Sequence, residues 1–205
     1  MLKLEVHSLY KRYGLRSVLN DINIEQESGI LGIGGRNGSG KSTLLKCLGG
    51  LIRPTSGRIR WHVGQQQLEP NEIKPHIGFL APHINLYEEL TCRENLKFIV
   101  DLRSLSLEQS DLNELLHTVG LSNHIQQPFG DLSTGQQQRL KLAAAQVHDP
   151  PILFLDEPGA NLDAEGTEMV HQLVQQYRRE EKMVLLASNN PSELEWCDQC
   201  YYLNQ

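Results

Sequence analysis

The chain has 205 residues, 39% hydrophobic and 21% charged, with a formal net charge of −6; that suits one sizeable globular domain, with or without an inserted subdomain. The acidic balance argues against direct nucleic-acid binding, which needs clustered basic residues, yet leaves room for a nucleotide site. No apolar run approaches the ~20 residues that span a bilayer, and residues 1–10 lack the basic start and apolar core of a secretory signal. A protein soluble by itself is expected, with any membrane role reached through partners.

Residues 2–8 alternate polar and apolar and read as a strand, as do residues 18–25. Residues 29–34 are a short apolar run that stops on glycines, the mark of a buried strand. Residues 41–51 have helical spacing, Pro54 and Gly57 punctuate a turn, residues 58–63 alternate as a strand, and residues 77–81 form another short buried one. From Thr91 to Gln146 the spacing is helical; Thr91 with Glu94 and Ser106 with Gln109 fit capping boxes, while Gly120, Pro128 and Gly130 break the helices. Strands return at 151–156, 183–188 and 199–203, with a helix over 164–179. The Gln-rich stretches 65–67 and 136–138 are too short to count as low complexity. Strands alternating with helices predict an α/β fold, a mostly parallel sheet covered on both sides. An antiparallel β subdomain is expected at the N-terminus. Residues 82–132 read as an all-helical insertion, leaving 1–81 and 133–205 for the core.

Cys47, Cys92, Cys197 and Cys200 are expected as reduced thiols, since a chain this long needs no disulfide staples. Cys197 and Cys200 form a lone CxxC, open to three readings: a redox pair, half a metal site, or two thiols entering a terminal strand. No second cysteine pair or nearby histidine cluster completes a ligand set.

The sharpest motif is Gly35-Arg36-Asn37-Gly38-Ser39-Gly40-Lys41-Ser42-Thr43, a match to G-x-x-x-x-G-K-[ST] between a buried strand and a helix. Its glycines let successive N–H groups turn inward to cradle phosphate oxygens at a helix N-terminus. Lys41 is expected on the β- and γ-phosphates of a nucleoside triphosphate and the Ser42 hydroxyl on Mg²⁺. Downstream, residues 152–155 are apolar and run into Asp156 and Glu157. A buried strand delivers these carboxylates to the sheet edge that carries the phosphate loop. There Asp156 is placed to hold Mg²⁺ and Glu157 to take a proton from the attacking water.

Between these motifs stands Leu132-Ser133-Thr134-Gly135-Gln136, followed by Gln137, Gln138 and Arg139. Ser133 with Gln136 reads as a capped helix start able to receive an anion. Here the chain resembles the ABC ATPase family, whose signature is LSGGQ. The resemblance extends over nearly the whole length: Tyr13, in Lys11-Arg12-Tyr13-Gly14, is similar to the family's adenine-stacking aromatic in preference to Tyr10; residues 90–96 resemble its LT-x-x-ENL segment; Asn161-Leu162-Asp163 resembles the loop that communicates across a dimer. It implies a P-loop NTPase core and an ATPase using ATP and Mg²⁺. It also implies a second ATPase subunit, identical or related, packed head to tail so that Ser133, Thr134, Gly135 and Gln136 of one chain close on the ATP of the other. The partners implied are integral membrane transporter subunits and the location the cytoplasmic face of the membrane. The compact length is most like short exporter ATPases of the haem-exporter type.

Three departures stand out. Where the family has a glutamine after the strand at 77–80, this chain has Pro82, followed by His83, and neither is a good Mg²⁺ ligand. Where the family has a γ-phosphate-contacting histidine stands Asn189, whose amide can donate a hydrogen bond but cannot carry a proton near neutral pH. Arg36 and Thr134 replace a common proline and glycine. Intact binding with slowed hydrolysis is therefore expected, and a non-hydrolysing ATP-dependent clamp is the alternative. A soluble relative acting on DNA or the ribosome fits the compact, acidic chain less well. Ile84, Leu86 and Tyr87 fall on a surface loop, either for a membrane partner or packed beneath the helices.

Overall fold

The computed structural model describes residues 2–203. Its strands form two sheets. In the antiparallel one, β1 (Leu2–Tyr13) pairs with β2 (Arg16–Glu27) on one side and with β4 (Ser56–Val63) on the other, and β5 (Gln66–Leu68) borders β4. Alternation puts Leu2, Leu4 and Val6 of β1 and Ile22 and Ile24 of β2 inward. β1 and β2 run several residues beyond the alternating stretches in the sequence, because each end is paired: Tyr13 faces Arg16 and Lys3 faces Glu27 across the hairpin. Tyr13, which falls between the two alternating stretches of the sequence, therefore closes a strand.

The second sheet is parallel throughout, in the order β6 (Ile77–Leu80), β7 (Ile152–Asp156), β8 (Met183–Ser188), β3 (Gly29–Gly34), β9 (Gln199–Tyr202). β7 and β8 are buried at every residue, which is why they read as unbroken apolar runs. On one face, Phe154, Leu185, Leu31 and Ile33 join the core with α1 (Lys41–Leu48) and the antiparallel sheet. On the other, Leu153, Leu155, Leu186 and Ile30 meet α4 (Thr134–Gln146) and α5 (Ala164–Arg179) through Leu142, Val170, Leu173 and Val174. A third apolar cluster joins α2 (Cys92–Leu102), α3 (Gln109–Thr118) and α4, including Leu96, Val100, Leu112, Leu116, Phe129 and Leu140.

Local chemistry sets the helix ends. Thr91 and Glu94 close the capping box at α2 as expected. At α3 the box forms two residues later than Ser106–Gln109: Glu108 takes the Asp111 N–H, and the Asp111 carboxylate takes the Glu108 N–H at 2.8 Å. α1 stops at Leu48, short of the predicted Leu51, because Gly50 adopts φ 65° and the N–H groups of Gly50 and Leu51 turn back onto the carbonyls of Cys47 and Lys46, a glycine-terminated cap. A one-turn helix, α6 (Pro191–Leu194), follows β8, capped by Asn190.

Phe154 anchors the central layer. Its fully buried ring lies 5.8 Å from that of Phe79 in an edge arrangement and 6.1 Å from that of Trp61, whose indole N–H donates to Leu48 O at 2.9 Å. Phe154→Ala is expected to lower unfolding free energy by about 3–5 kcal/mol, the usual range for such a cavity. Denaturant melts measure this; a loss below about 1 kcal/mol would mean the layer repacks freely.

The register decides what the fold presents. Gly34 is level with Ser188, and Asp156 with Ala187. The segments after β3, β7 and β8 thus leave the parallel sheet side by side at its C-terminal edge, the usual ligand edge of such sheets.

Candidate functional site

The loop after β3 is shaped by glycine. Gly35 (φ 155°) leaves no room for a side chain, since a Cβ there would meet Ser39 Oγ at 2.5 Å. Gly40 (φ 106°) is the N-cap of α1 and brings no side-chain cap to it. A helix start without a side-chain cap offers N–H groups and a positive dipole end to an anion. Val18 of β2 packs against Gly40, so the antiparallel sheet backs this loop.

Lys41 opens α1 and is only 5% exposed. Its ammonium donates to Gly35 O at 2.8 Å and Arg36 O at 3.3 Å, and pairs with Glu157 Oε1 at 3.0 Å. Glu157 takes φ 51°, a left-handed conformation rare outside glycine, with its N–H bonded to Ala187 O at 2.8 Å. That turn aims its carboxylate back at the phosphate loop. Its Oε2 accepts the Asn189 N–H at 3.3 Å, and the Asn189 amide donates to Asn37 Oδ1 at 2.7 Å. The loops after β3, β7 and β8 are thereby closed into one network through Asn37, Lys41, Glu157 and Asn189.

Asp156 ends β7 at 1% exposure, and neither carboxylate oxygen has a hydrogen-bond partner among the described residues. Burial raises its pKa above the usual carboxylate value; the nearby Ser42 hydroxyl opposes the shift without closing a bond of ordinary geometry. A buried carboxylate left unpaired is costly and calls for a cation. Hard oxygens from Asp156 and Ser42 suit Mg²⁺, which ordinarily takes its remaining ligands from water and phosphate. No group of three or more His, Cys, Asp or Glu side chains suited to a metal occurs among the described residues.

Ser133, Thr134, Gly135 and Gln136 form a second group, at the start of α4. Ser133 Oγ accepts the Gln136 N–H at 3.3 Å, Gln136 Oε1 accepts the Ser133 N–H at 2.9 Å, and the Gln136 amide lies 3.0 Å from His124 Nε2. The loop after β7 joins the two groups. Gln138 donates to Pro158 O at 3.2 Å, Arg139 pairs with Asp163 at 3.1 Å, and a Cβ on Gly135 would lie 3.3 Å from Asn161 O. Asp163 also caps α5 by accepting the Gly166 N–H at 2.8 Å.

Tyr13 stands 51% exposed at the end of the β1–β2 hairpin, with the Lys11 ammonium 4.8 Å from its ring centroid. Pro82 and His83 are exposed just past β6. Partial desolvation, then Lys46, lower the His83 pKa, while the Asp156 carboxylate opposes them. Ile84 and Leu86 line a cleft of about 280 Å³ with Phe79, Ile99 and Ala144; Tyr87 turns to solvent, edge-on to Phe98 at 4.9 Å.

Sequence reasoning missed Glu193. It is 4% exposed, its Oε2 has no partner among the described residues, and a Cβ on Gly159 would meet its Oε1 at 2.3 Å. Burial raises its pKa. The carboxylate lies beneath the turn that follows Glu157, and nothing local distinguishes it from exposed Glu195 two residues on. Its unpaired oxygen emerges only from tertiary packing.

The chain matches the family described as ABC transporter over residues 19–160. It is 33% identical over 193 residues to the lantibiotic transport ATP-binding protein SrtF of Streptococcus pyogenes, an alignment covering 94% of this chain and 82% of that protein. It is 31% identical over 185 residues to the ABC transporter ATP-binding protein NatA of Bacillus subtilis, covering 88% and 75%. The fold superposes with a TM-score of 0.86 on a dimeric bacterial ABC transporter cassette, at 26% identity and covering 98% of this chain and 94% of that one. The same figures hold for a post-hydrolysis state of that type of cassette bound to ADP and Pi. With phosphate loop, acidic strand end and capped signature helix in this arrangement, the chain belongs to the ABC transporter family, among its ATP-binding ATPase subunits.

Proposed function

We propose that Lys41, Asp156 and Glu157 bind and hydrolyse Mg·ATP in this chain, and that the work is delivered to membrane-embedded transporter subunits. The observation that carries the reading is the Lys41–Glu157 pair at the start of α1, beside an unpaired buried Asp156. Phosphate oxygens compete for the Lys41 ammonium against two neutral carbonyls and one carboxylate. Once Lys41 turns to them, Glu157 Oε1 is free to accept a proton from water as its oxygen attacks the γ-phosphorus and the bond to the β,γ-bridging oxygen breaks. Asp156 and Ser42 are the residues that would hold Mg²⁺, which would supply neutralisation of phosphate charge. The N–H groups of residues 35–43 hold the triphosphate, and Tyr13 stacks on adenine.

Asn189 bridges Asn37 and Glu157, so it fixes geometry without moving a proton. Asn189→His is expected to raise turnover at least ~10-fold, within the range usual for a proton-positioning group. Steady-state ATPase assays of both forms decide the point, and an unchanged rate disposes of it.

Residues 82–132, whose α2 and α3 share one apolar cluster with α4, are read as the inserted helical subdomain. The apolar cleft at its junction with the sheet, flanked by exposed Tyr87 and Phe98, is the proposed seat for cytoplasmic ends of membrane subunits. No described helix is long and apolar enough to cross a membrane, so a peripheral place on the cytoplasmic face follows from that docking. A second ATPase subunit, a copy or a relative, would bring its Ser133, Gly135 and Gln136 to this chain's ATP. The dimeric form of the similar cassette supports this.

Equilibrium binding of ATP with Mg²⁺ to the purified chain tests the reading. Micromolar affinity is expected, and no measurable affinity overturns it.

A further inference from the structure

Gly32 sits in the middle of β3, paired with Cys200 of β9. A glycine inside a central strand weakens it and marks close approach by another group. Here that group is a pair of sulfurs. A Cβ on Gly32 would lie 2.8 Å from Cys200 Sγ and 2.9 Å from Cys197 Sγ, so both converge on one point over the strand. The Cys197 thiol donates to Glu193 O at 3.8 Å and the Cys200 thiol to Leu194 O at 3.5 Å. The segment between them is pinned. Asp198 accepts the Ile30 N–H at 2.7 Å and pairs with Arg178 at 2.8 Å, and Arg178 also donates to Trp196 O at 2.6 Å. The thiols are thus held together by the fold, and Cys200 is open to solvent while Cys197 is half-buried.

We propose that Cys197 and Cys200 form a thiol–disulfide exchange site whose substrate is a small exposed disulfide, R–S–S–R, of the glutathione class. The Cys200 thiolate attacks one sulfur of R–S–S–R, giving a Cys200–S–S–R mixed disulfide and releasing one RS⁻, which takes up a proton. Cys197 then gives up its thiol proton and attacks Cys200 Sγ; the Cys197–Cys200 bond forms, and the second RS⁻ leaves and is protonated. Two protein thiols are oxidised and one external disulfide is reduced to two thiols. The order follows from exposure, and burial supports it by pushing the Cys197 thiol up to about 12. Cys47 and Cys92 are buried and take no part.

The test incubates the folded full chain with oxidised glutathione at pH 8, quenches by alkylation and maps the peptides by mass spectrometry. An internal Cys197–Cys200 disulfide is expected, with two glutathione thiols released per chain and Cys47 and Cys92 reduced. Cys197→Ser is expected to stop at a glutathione adduct on Cys200 with one thiol released, and Cys200→Ser to react at least ~10-fold more slowly at Cys197, in line with its burial. Thermal melts establish that both variants are folded. A wild-type chain that accumulates a stable Cys200 adduct, that leaves Cys200 unreacted, or that oxidises Cys47 or Cys92 as fast as Cys200 overturns the proposal.

Discussion

Replacing Lys41 with alanine is expected to weaken ATP binding by about 10–100-fold, the equivalent of one charge-assisted hydrogen bond, and to lower kcat by a further ~10²–10³. The ammonium is almost fully buried and has three acceptors, two of them carbonyls of the phosphate loop itself. Removing it takes away the charge that phosphate oxygens would meet. It also frees the loop carbonyls and leaves Glu157 facing an anionic ligand without a counter-charge. Both effects act against the nucleotide, so affinity and rate fall together. Titration calorimetry and phosphate-release assays separate them, and a variant matching the parent in both would remove the basis of the proposed site.

Glu157→Gln is expected to behave in the opposite way towards binding. Glutamine keeps the shape and can still accept the Asn189 N–H, but it cannot take a proton, so turnover should drop by about 10²–10⁴. The competing Lys41–Glu157 ion pair disappears with the charge. Affinity for ATP should therefore hold or improve, and a closed ATP-bound dimer should accumulate in gel filtration. A rate within a few-fold of the parent, with no dimer trapped, would favour the non-hydrolysing clamp over the motor.

The central strands were legible because each is a short apolar run ended by a residue that cannot continue it: the glycines after Ile33, Asp156 after Leu155, and the Ser188-Asn189-Asn190 polar stop. The bounds of α5 were equally plain, with Asp163 before it and basic residues in its last turn. The family reading drawn from the phosphate loop, Asp156-Glu157 and Ser133–Gln136 is borne out by the comparisons. What escaped depends on contacts distant in sequence. β5 exists only because Gln66–Leu68 finds the edge of β4. Glu193 and Gln138 look like ordinary surface polar residues until packing sets them beneath or beside the Pro158–Gly159 peptide. Asn189 was read as a γ-phosphate contact, and its link to Asn37 emerges only when β3 and β8 are placed side by side.

Asp156 has a thermodynamic consequence beyond its proposed role in the site. Two shielded carboxylate oxygens without a hydrogen bond of ordinary geometry among the described residues raise the free energy of the ionised native state, and the extended chain, with that carboxylate in water, carries no such penalty. On the proposed reading, a cation and nucleotide that engage only the native form would stabilise it by mass action, about 2.7 kcal/mol at a hundredfold excess over the dissociation constant. The heat tolerance of this protein would then be a property of its surroundings as much as of its core, climbing and falling with the supply of its own fuel.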